Sequence, residues 1–346
     1  MDIEGIALKK SADSEESASE ASEESRDMES SDLGEDGTPR YHQANPEAMT
    51  EEEKQKERAF RKKLNQAARE VVSHSIHKGV KLIVHRPDYT PENQQEYFRL
   101  SKELLPIVRE TARKVLPLLE HEVSPEFARR HTYGSKFQAD SMAYRDFRYF
   151  AKKRPPTENP SLAVGLRIDE SASMAAYGRL EAAQSAAIAV YEFCRLCDIP
   201  VLIYGDTADV SRLEQMSVFA YTDFEKNSPE DCFRLMGMRG RSNNRDGMAL
   251  RIMADRLSIM PQQTKLLISI SDGQPKAMEN YTGDYALKDM QQTIAEYERK
   301  GISFLAAAIG QDKETIARIY GKERFLDITS LKEFPAQLVR ILARYL

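Results

Sequence analysis

From Leu162 onward, short apolar runs alternate with stretches whose apolar residues recur three or four positions apart. The runs Leu162 to Ile168, Pro200 to Tyr204, Lys265 to Ser271 and Ser303 to Ile309 are near-continuously apolar, the pattern of parallel strands covered on both faces. Between them, Leu180, Ala183, Ala187, Val190, Cys194 and Cys197 form one helical stripe. A helix beginning near Met248 and a stripe of Leu287, Met290, Ile294 and Tyr297 predict two more. Ser217 to Tyr221 predicts a strand returning antiparallel to its predecessor, Phe325 to Ile328 a last strand, and Leu331 to Tyr345 a closing helix. Strands alternating with helices in this way specify an α/β fold, a doubly wound, mostly parallel sheet with its binding crevice at the carboxyl ends of the strands.

The pattern ahead of this region differs. Thr50 with Glu53 reads as a capping box opening a charged helix to about Ile76, and Thr90-Pro91 opens a second helix. The second carries Tyr97, Leu100, Leu104, Val108, Thr111, Val115 and Leu118 on one stripe, which needs a partner helix in this chain or another. Pro106 is expected to bend or interrupt it. Val80 to Val84 is the one short apolar run here with strand character, and the Pro-rich joint Arg154-Pro155-Pro156 marks a boundary. Three segments result: 1–39, 40–160 as a helical region, and 161–346 as the α/β domain.

Charge separates the first segment from the rest. Residues 1–39 hold thirteen Asp/Glu against three Lys/Arg, a net of −10, while the remaining 42 acids and 47 bases give +5. Residues 11–39 are Ser, Glu and Asp with almost nothing to bury, and are expected to lack stable structure. Bases elsewhere are interspersed with acids, which argues against nucleic-acid binding. Three cysteines, Cys194, Cys197 and Cys232, make no secreted disulfide framework, and a reducing compartment follows. With no apolar core for a signal peptide and no apolar run near eighteen residues, the chain reads as cytoplasmic and without a membrane span.

Candidate chemistry collects where the strands end. The first strand of the domain runs directly into Asp169-Glu170-Ser171-Ala172-Ser173, a later one ends in Ser271-Asp272-Gly273, and Gly240 to Gly247 (GRSNNRDG) lies just before a helix. Carboxylates, hydroxyls and an amide converging there form an all-oxygen set, suited to Mg²⁺, Mn²⁺ or Ca²⁺ and poorly to zinc. The bland alternative, that Ser171 and Ser173 merely cap the next helix, leaves Asp169 and Asp272 unexplained.

D-x-S-x-S after a buried strand resembles the opening of the metal-ion-dependent adhesion site of von Willebrand factor A (VWA) domains. The resemblance implies that Ser171 and Ser173 ligate the cation directly, with Asp169 and Asp272 acting mostly through water. The family's threonine falls on Asn244, a departure from the pattern. Glu170, Arg245 and Asp246 flank these loops and are expected to be solvated or to form a rim that contacts a partner. More specifically, NRDGMALR, then SDGQP with Tyr281, Gly283, Asp284 and Tyr285 after it, and GISFLAAAIG resemble the VWA subunit of aerobic cobaltochelatase and the nitric-oxide-reductase activation proteins. In those groups the VWA protein works with a hexameric MoxR-type AAA+ ATPase. The resemblance therefore implies a metal-dependent adaptor for such an ATPase in metal insertion or metalloenzyme activation, with no catalysis of its own. The alternative is a chelatase subunit acting on a tetrapyrrole. A stand-alone adhesion domain is disfavoured by the missing export signal.

Other signals carry less. Cys194-x-x-Cys197 has redox spacing but falls late in a helix on its apolar stripe, where core packing is the expectation. Asp169 lacks the second carboxylate two residues on that an aspartyl phosphotransferase wants. There is no H-E-x-x-H, G-x-x-x-x-G-K or G-x-S-x-G motif.

Overall fold

The computed structural model describes residues 7–10, 41–44, 51–119, 127–134, 136–144, 147–153, 161–226, 228–273, 275–278, 281–309, 313–328 and 330–345. Its centre is a seven-stranded sheet of β1 (Leu82–His85), β2 (Leu162–Asp169), β3 (Val201–Ala208), β4 (Met216–Thr222), β5 (Thr264–Ser271), β6 (Ile302–Ala308) and β7 (Phe325–Asp327). The spatial order is β7-β6-β5-β2-β3-β4-β1. All neighbours are parallel except β3 and β4, which form the antiparallel pair expected from sequence. β2 and β5 lie side by side at the middle, with Ile168 opposite Ile270.

Helices cover both faces, as the doubly apolar strands require. On one face α2 (Pro91–Leu119), α3 (Arg179–Leu196) and α7 (Phe334–Leu342) pack with Val164, Leu166 and Ile168 of β2 into a single apolar cluster. On the other, α1 (Glu51–Ser73), α4 (Asp246–Ser258), α5 (Gly283–Glu298) and α6 (Lys313–Tyr320) pack with Ala163, Leu202 and Tyr204. Five alanines of α3 (Ala182, Ala183, Ala186, Ala187 and Ala189) are buried, so its backbone can lie close to the sheet. Cys194 and Cys197 sit in this core, and all three cysteines are free and buried. Burial pushes the Cys197 thiol up to about 11, far from the thiolate a redox pair needs.

The stripe of α2 finds its partner within the chain: Tyr97, Val108, Ala112 and Val115 join the cluster with α3 and α7. The helix runs unbroken through Pro106, so the expected interruption does not occur, with Leu105 and Val108 buried on either side of the missing N–H. Thr90 caps it as expected, its Oγ1 accepting from Asn93 N at 3.3 Å. Thr50, the cap expected for α1, lies outside the described residues. The apolar run near Val80 to Val84 does form a strand, and it completes the sheet at the β4 edge. The helical region and the α/β domain thus share one sheet and its cores.

Beside this body, Phe127–His131, Lys136–Phe137 and Phe150–Lys153 form a small three-stranded sheet. Ala7–Lys10 of the acidic first segment pairs antiparallel with Tyr41–Ala44 of the second, while residues 11–39 lie outside the described residues. Among the described residues no helix is long and apolar enough to cross a membrane.

Candidate metal-binding site

Three loops meet at the carboxyl ends of β2 and β5. Asp169 closes β2 and points to the α4 face. Its Oδ1 accepts from Ser171 N at 2.8 Å, and its Oδ2 accepts from Ser271 Oγ at 2.8 Å and Asn244 Nδ2 at 3.1 Å. Ser171 Oγ and Ser173 Oγ stand 3.0 Å apart, and Ser173 Oγ donates to Asp272 Oδ1 at 2.8 Å. Asp169, Ser171, Ser173, Asn244 and Asp272 are therefore brought together, as their placement at strand ends predicts. Ser171 heads the short helical turn after β2, but its side chain makes no capping bond there, which removes the bland reading of that hydroxyl.

The donor set fits a hard cation. Oxygens adjacent on a six-coordinate Mg²⁺ shell, with bonds of about 2.1 Å, stand about 3.0 Å apart. The Ser171–Ser173 and Ser173–Asp272 separations already match that edge. Burial and the nearby charge of Asp169 push the Asp272 carboxyl above its ordinary value, against the pull of Ser173 and Arg179. Ser171, Ser173, Asp169 and Asp272 are the residues that could hold it.

Asn244 joins two of the loops. Its Oδ1 accepts from Lys276 N at 2.8 Å while its backbone N donates to Lys276 O at 3.1 Å. The amide oxygen thus bonds the β5–α5 loop and its nitrogen bonds Asp169, which makes Asn244 a strut between them.

Glu170, Arg245 and Asp246 also correct the expectation of a solvated rim, since all three are buried. Glu170 accepts from Tyr221 Oη at 2.5 Å and from Arg239 N at 3.2 Å, and it pairs with Arg241 at 3.2 Å. Burial pushes its carboxyl up to about 7 against the pull of Tyr221 and Arg241. Asp246 pairs with Arg167 Nη2 at 2.6 Å, and Arg245 lies over the Tyr281 ring and donates to Met278 O. These groups brace the loops from beneath.

Below the site runs an ionic layer that the sequence reading missed. Arg167, fully buried in mid-strand, donates to both oxygens of Asp206 (2.6 and 2.9 Å), to Asp246 and to Ser269 Oγ. Burial opposes its charge, but Asp206 and Asp246 hold it protonated. The signal was available: Arg167 and Asp206 stand at the interior of otherwise apolar strands, where an ion without a partner would be prohibitive.

The SDGQP-to-Tyr285 motif has a structural account as well. Tyr281 Oη donates to Asp289 Oδ2 at 2.7 Å and accepts from Gly247 N at 3.1 Å, and His77 Nε2 meets the same Asp289 oxygen at 3.0 Å. This locks the β5–α5 loop to the start of α4 and both to the residues after α1. Gly240 lets the second loop press on the first: a Cβ there would stand 2.7 Å from Ala175 Cβ and 3.2 Å from Ser171 O.

The seven-stranded, mostly parallel sheet with helices on both faces is a VWA-type fold. Residues 205–346 match the family model described as the cobalamin biosynthesis protein CobT VWA domain. Protein NorD of Brucella melitensis biotype 1 is 25% identical over 121 residues, 34% of this chain and 19% of that protein. The uncharacterized protein YojO of Bacillus subtilis strain 168 is 24% identical over 247 residues, 67% of this chain and 38% of that protein. The chain thus matches well under half the length of either relative. The vWF domain of the type V pili tip protein Mfa5 from Porphyromonas gingivalis aligns over 53% of this chain and 94% of that one, with a TM-score of 0.41 and 11% identity. Over residues 205–346 the chain is thus similar to the VWA domain of the CobT family.

Proposed function

We propose that this chain is a non-catalytic adaptor whose divalent-cation site docks an acidic side chain of a partner protein. In this reading the partner is a MoxR-type AAA+ ATPase, and the pair serves metal insertion or metalloenzyme activation. The observation that carries it is the convergence of Ser171, Ser173, Asp169 and Asp272 at separations that suit a six-coordinate Mg²⁺ or Mn²⁺. A hard cation held there supplies a directional anchor for a carboxylate. The chain's own part is to present two neutral hydroxyls and keep the Asp169 carboxylate in place from behind, through Ser271 and Asn244. Neutral inner donors leave the cation electrophilic toward an incoming carboxylate.

The test is a pull-down of a MoxR-type ATPase by the full chain, in Mg²⁺ and in EDTA, repeated with Asp169→Ala. Docking is expected only in Mg²⁺ and only with the native residue. Equal capture in all arms would move the interface away from this site.

The CobT family match favours a second reading, a subunit of a cobaltochelatase-type complex. Metal insertion into a tetrapyrrole that depends on this chain, ATP and the ATPase would select it. ATPase capture without any insertion would leave the adaptor.

A further inference from the structure

Arg179 brings a positive charge into the site before any metal does. Its Nη1 lies 2.5 Å from Asp272 Oδ2 and 3.4 Å from Ser173 O, so it takes the Asp272 oxygen that Ser173 leaves free. The seat is built: Tyr177 and Gly178 both adopt positive φ (60° and 72°), turning the chain so that the guanidinium rests 5.1 Å from the Tyr177 ring. Arg179 is also the first residue of α3, and a cation in the first turn opposes the helix dipole. Asp272 is therefore what holds it there. The Arg179 side chain is only 14% exposed, whereas Tyr177 beside it is 81% exposed and open to a visitor.

We propose that Arg179 is an internal competitor of the divalent cation, one that neutralises part of the carboxylate pair in the resting protein and sets the cation's affinity low. This rests on the cation-site reading above and adds its regulation. A cation approaching Ser173 and Asp272 meets a like charge across one carboxylate, and gains less from that carboxylate than it would alone. An acidic group of a partner that drew Arg179 outward over Tyr177 would relieve both. Cation and acidic partner then bind more tightly together than either does alone, with Arg179 as the moving part.

The experiment measures Mn²⁺ binding to the full chain by electron paramagnetic resonance after EDTA treatment and dialysis, for the native protein, Arg179→Gln, Arg179→Ala and Arg179→Lys. Removing the charge is expected to tighten the Mn²⁺ Kd by about fivefold or more, and the lysine variant to stay within about twofold of native. Melting curves in EDTA and in Mn²⁺ give a second readout. The neutral variants melt lower than native in EDTA and gain more from Mn²⁺, because their carboxylates are left uncompensated without it. Alanine stands in should the glutamine variant fail to fold. Unchanged or weaker Mn²⁺ binding by the neutral variants overturns the competitor role while leaving the cation site intact. No Mn²⁺ binding by any of the four proteins overturns the cation site, and this inference with it.

Discussion

Ser173 Oγ and Asp272 Oδ1 are 2.8 Å apart although 99 positions separate them in the chain. Their meeting is a product of the sheet: β2 and β5 run parallel as direct neighbours, so the loops that leave them emerge side by side. Neither loop alone offers more than a carboxylate and a hydroxyl or two. Together they make a cup of oxygens, and the register between Ile168 and Ile270 sets its width.

The first expectation concerns the cup itself. Asp169→Ala removes a carboxylate and the acceptor of three hydrogen bonds, and is expected to abolish Mn²⁺ binding to the full chain. Ser173→Ala removes one neutral donor and should weaken it by about tenfold, on the scale of a single lost ligand. Titration calorimetry reads both, with circular dichroism to verify folding. Native-like binding by Asp169→Ala would remove this residue from the site.

Asn244 makes a different kind of prediction. Threonine, the family's residue, has one shorter-reaching hydroxyl oxygen that would have to accept from Lys276 N and donate to Asp169 Oδ2 in place of the two amide atoms. Asn244→Thr is therefore expected to cost about 1–3 kcal/mol of stability from a buried group left without its partner. Urea unfolding gives the value. A variant as stable as native would mean that the Lys276 loop needs no such strut.

Gly240→Ala would force its methyl against Ala175 and the Ser171 carbonyl, which are backbone or close to it and cannot swing aside. A cost of about 2–3 kcal/mol is expected, together with weaker Mn²⁺ binding as the two loops part. Gly247→Ala meets Asp289 Oδ2 at 1.9 Å and Tyr281 Oη at 2.6 Å, side-chain atoms pinned by their own hydrogen bonds. It should destabilise the fold similarly, acting through the motif lock. If Gly240→Ala melts with the native protein, the close approach of the loops is not a constraint.

The Asp289 lock also has a pH signature. Burial raises its carboxyl, but the hydrogen bond and electrostatic pull of His77, with Tyr281 and Arg251, outweigh burial and hold it below the ordinary 3.8. A carboxyl with a depressed folded pKa contributes fully above its unfolded value. The contribution is lost as pH falls through the folded one. Melting temperature should therefore drop on acidification below about pH 4, and Asp289→Asn should lose stability at neutral pH and flatten that drop. An unaltered acid profile in the variant would place the acid sensitivity elsewhere.

Much of this was legible in the chain. The short runs marked all six strands of the domain, most plainly the central ones, because a strand buried on both faces writes itself as an unbroken apolar word. D-x-S-x-S and S-D-G located the cup, because each follows such a run directly. What escaped was partnership. Glu170, Arg245 and Asp246 looked solvent-facing because sequence gives charge without depth, and only the packed loops show that Tyr221, Tyr281 and Arg167 cover them. Arg179 is ordinary as a letter at the start of a helix. Its meaning comes from Asp272, 93 positions away. The Val80 to Val84 run showed strand character, but nothing local announced that it would complete a sheet whose other strands come from far down the chain.

That edge strand has a consequence for how the protein is made. Lys81 N reaches Gln215 Oε1, 134 positions on, and α2 packs with α3 and α7. During synthesis α1, β1 and α2 leave the ribosome before α3 and α4, whose surfaces help to cover them. Folding of α1, β1 and α2 thus waits for elements further along the chain, and contacts so distant in sequence slow it further. A ribosome stalled before residue 179 would hold out a nascent chain whose α2 stripe is sticky. The newborn protein should lean on chaperones far more than the finished one does.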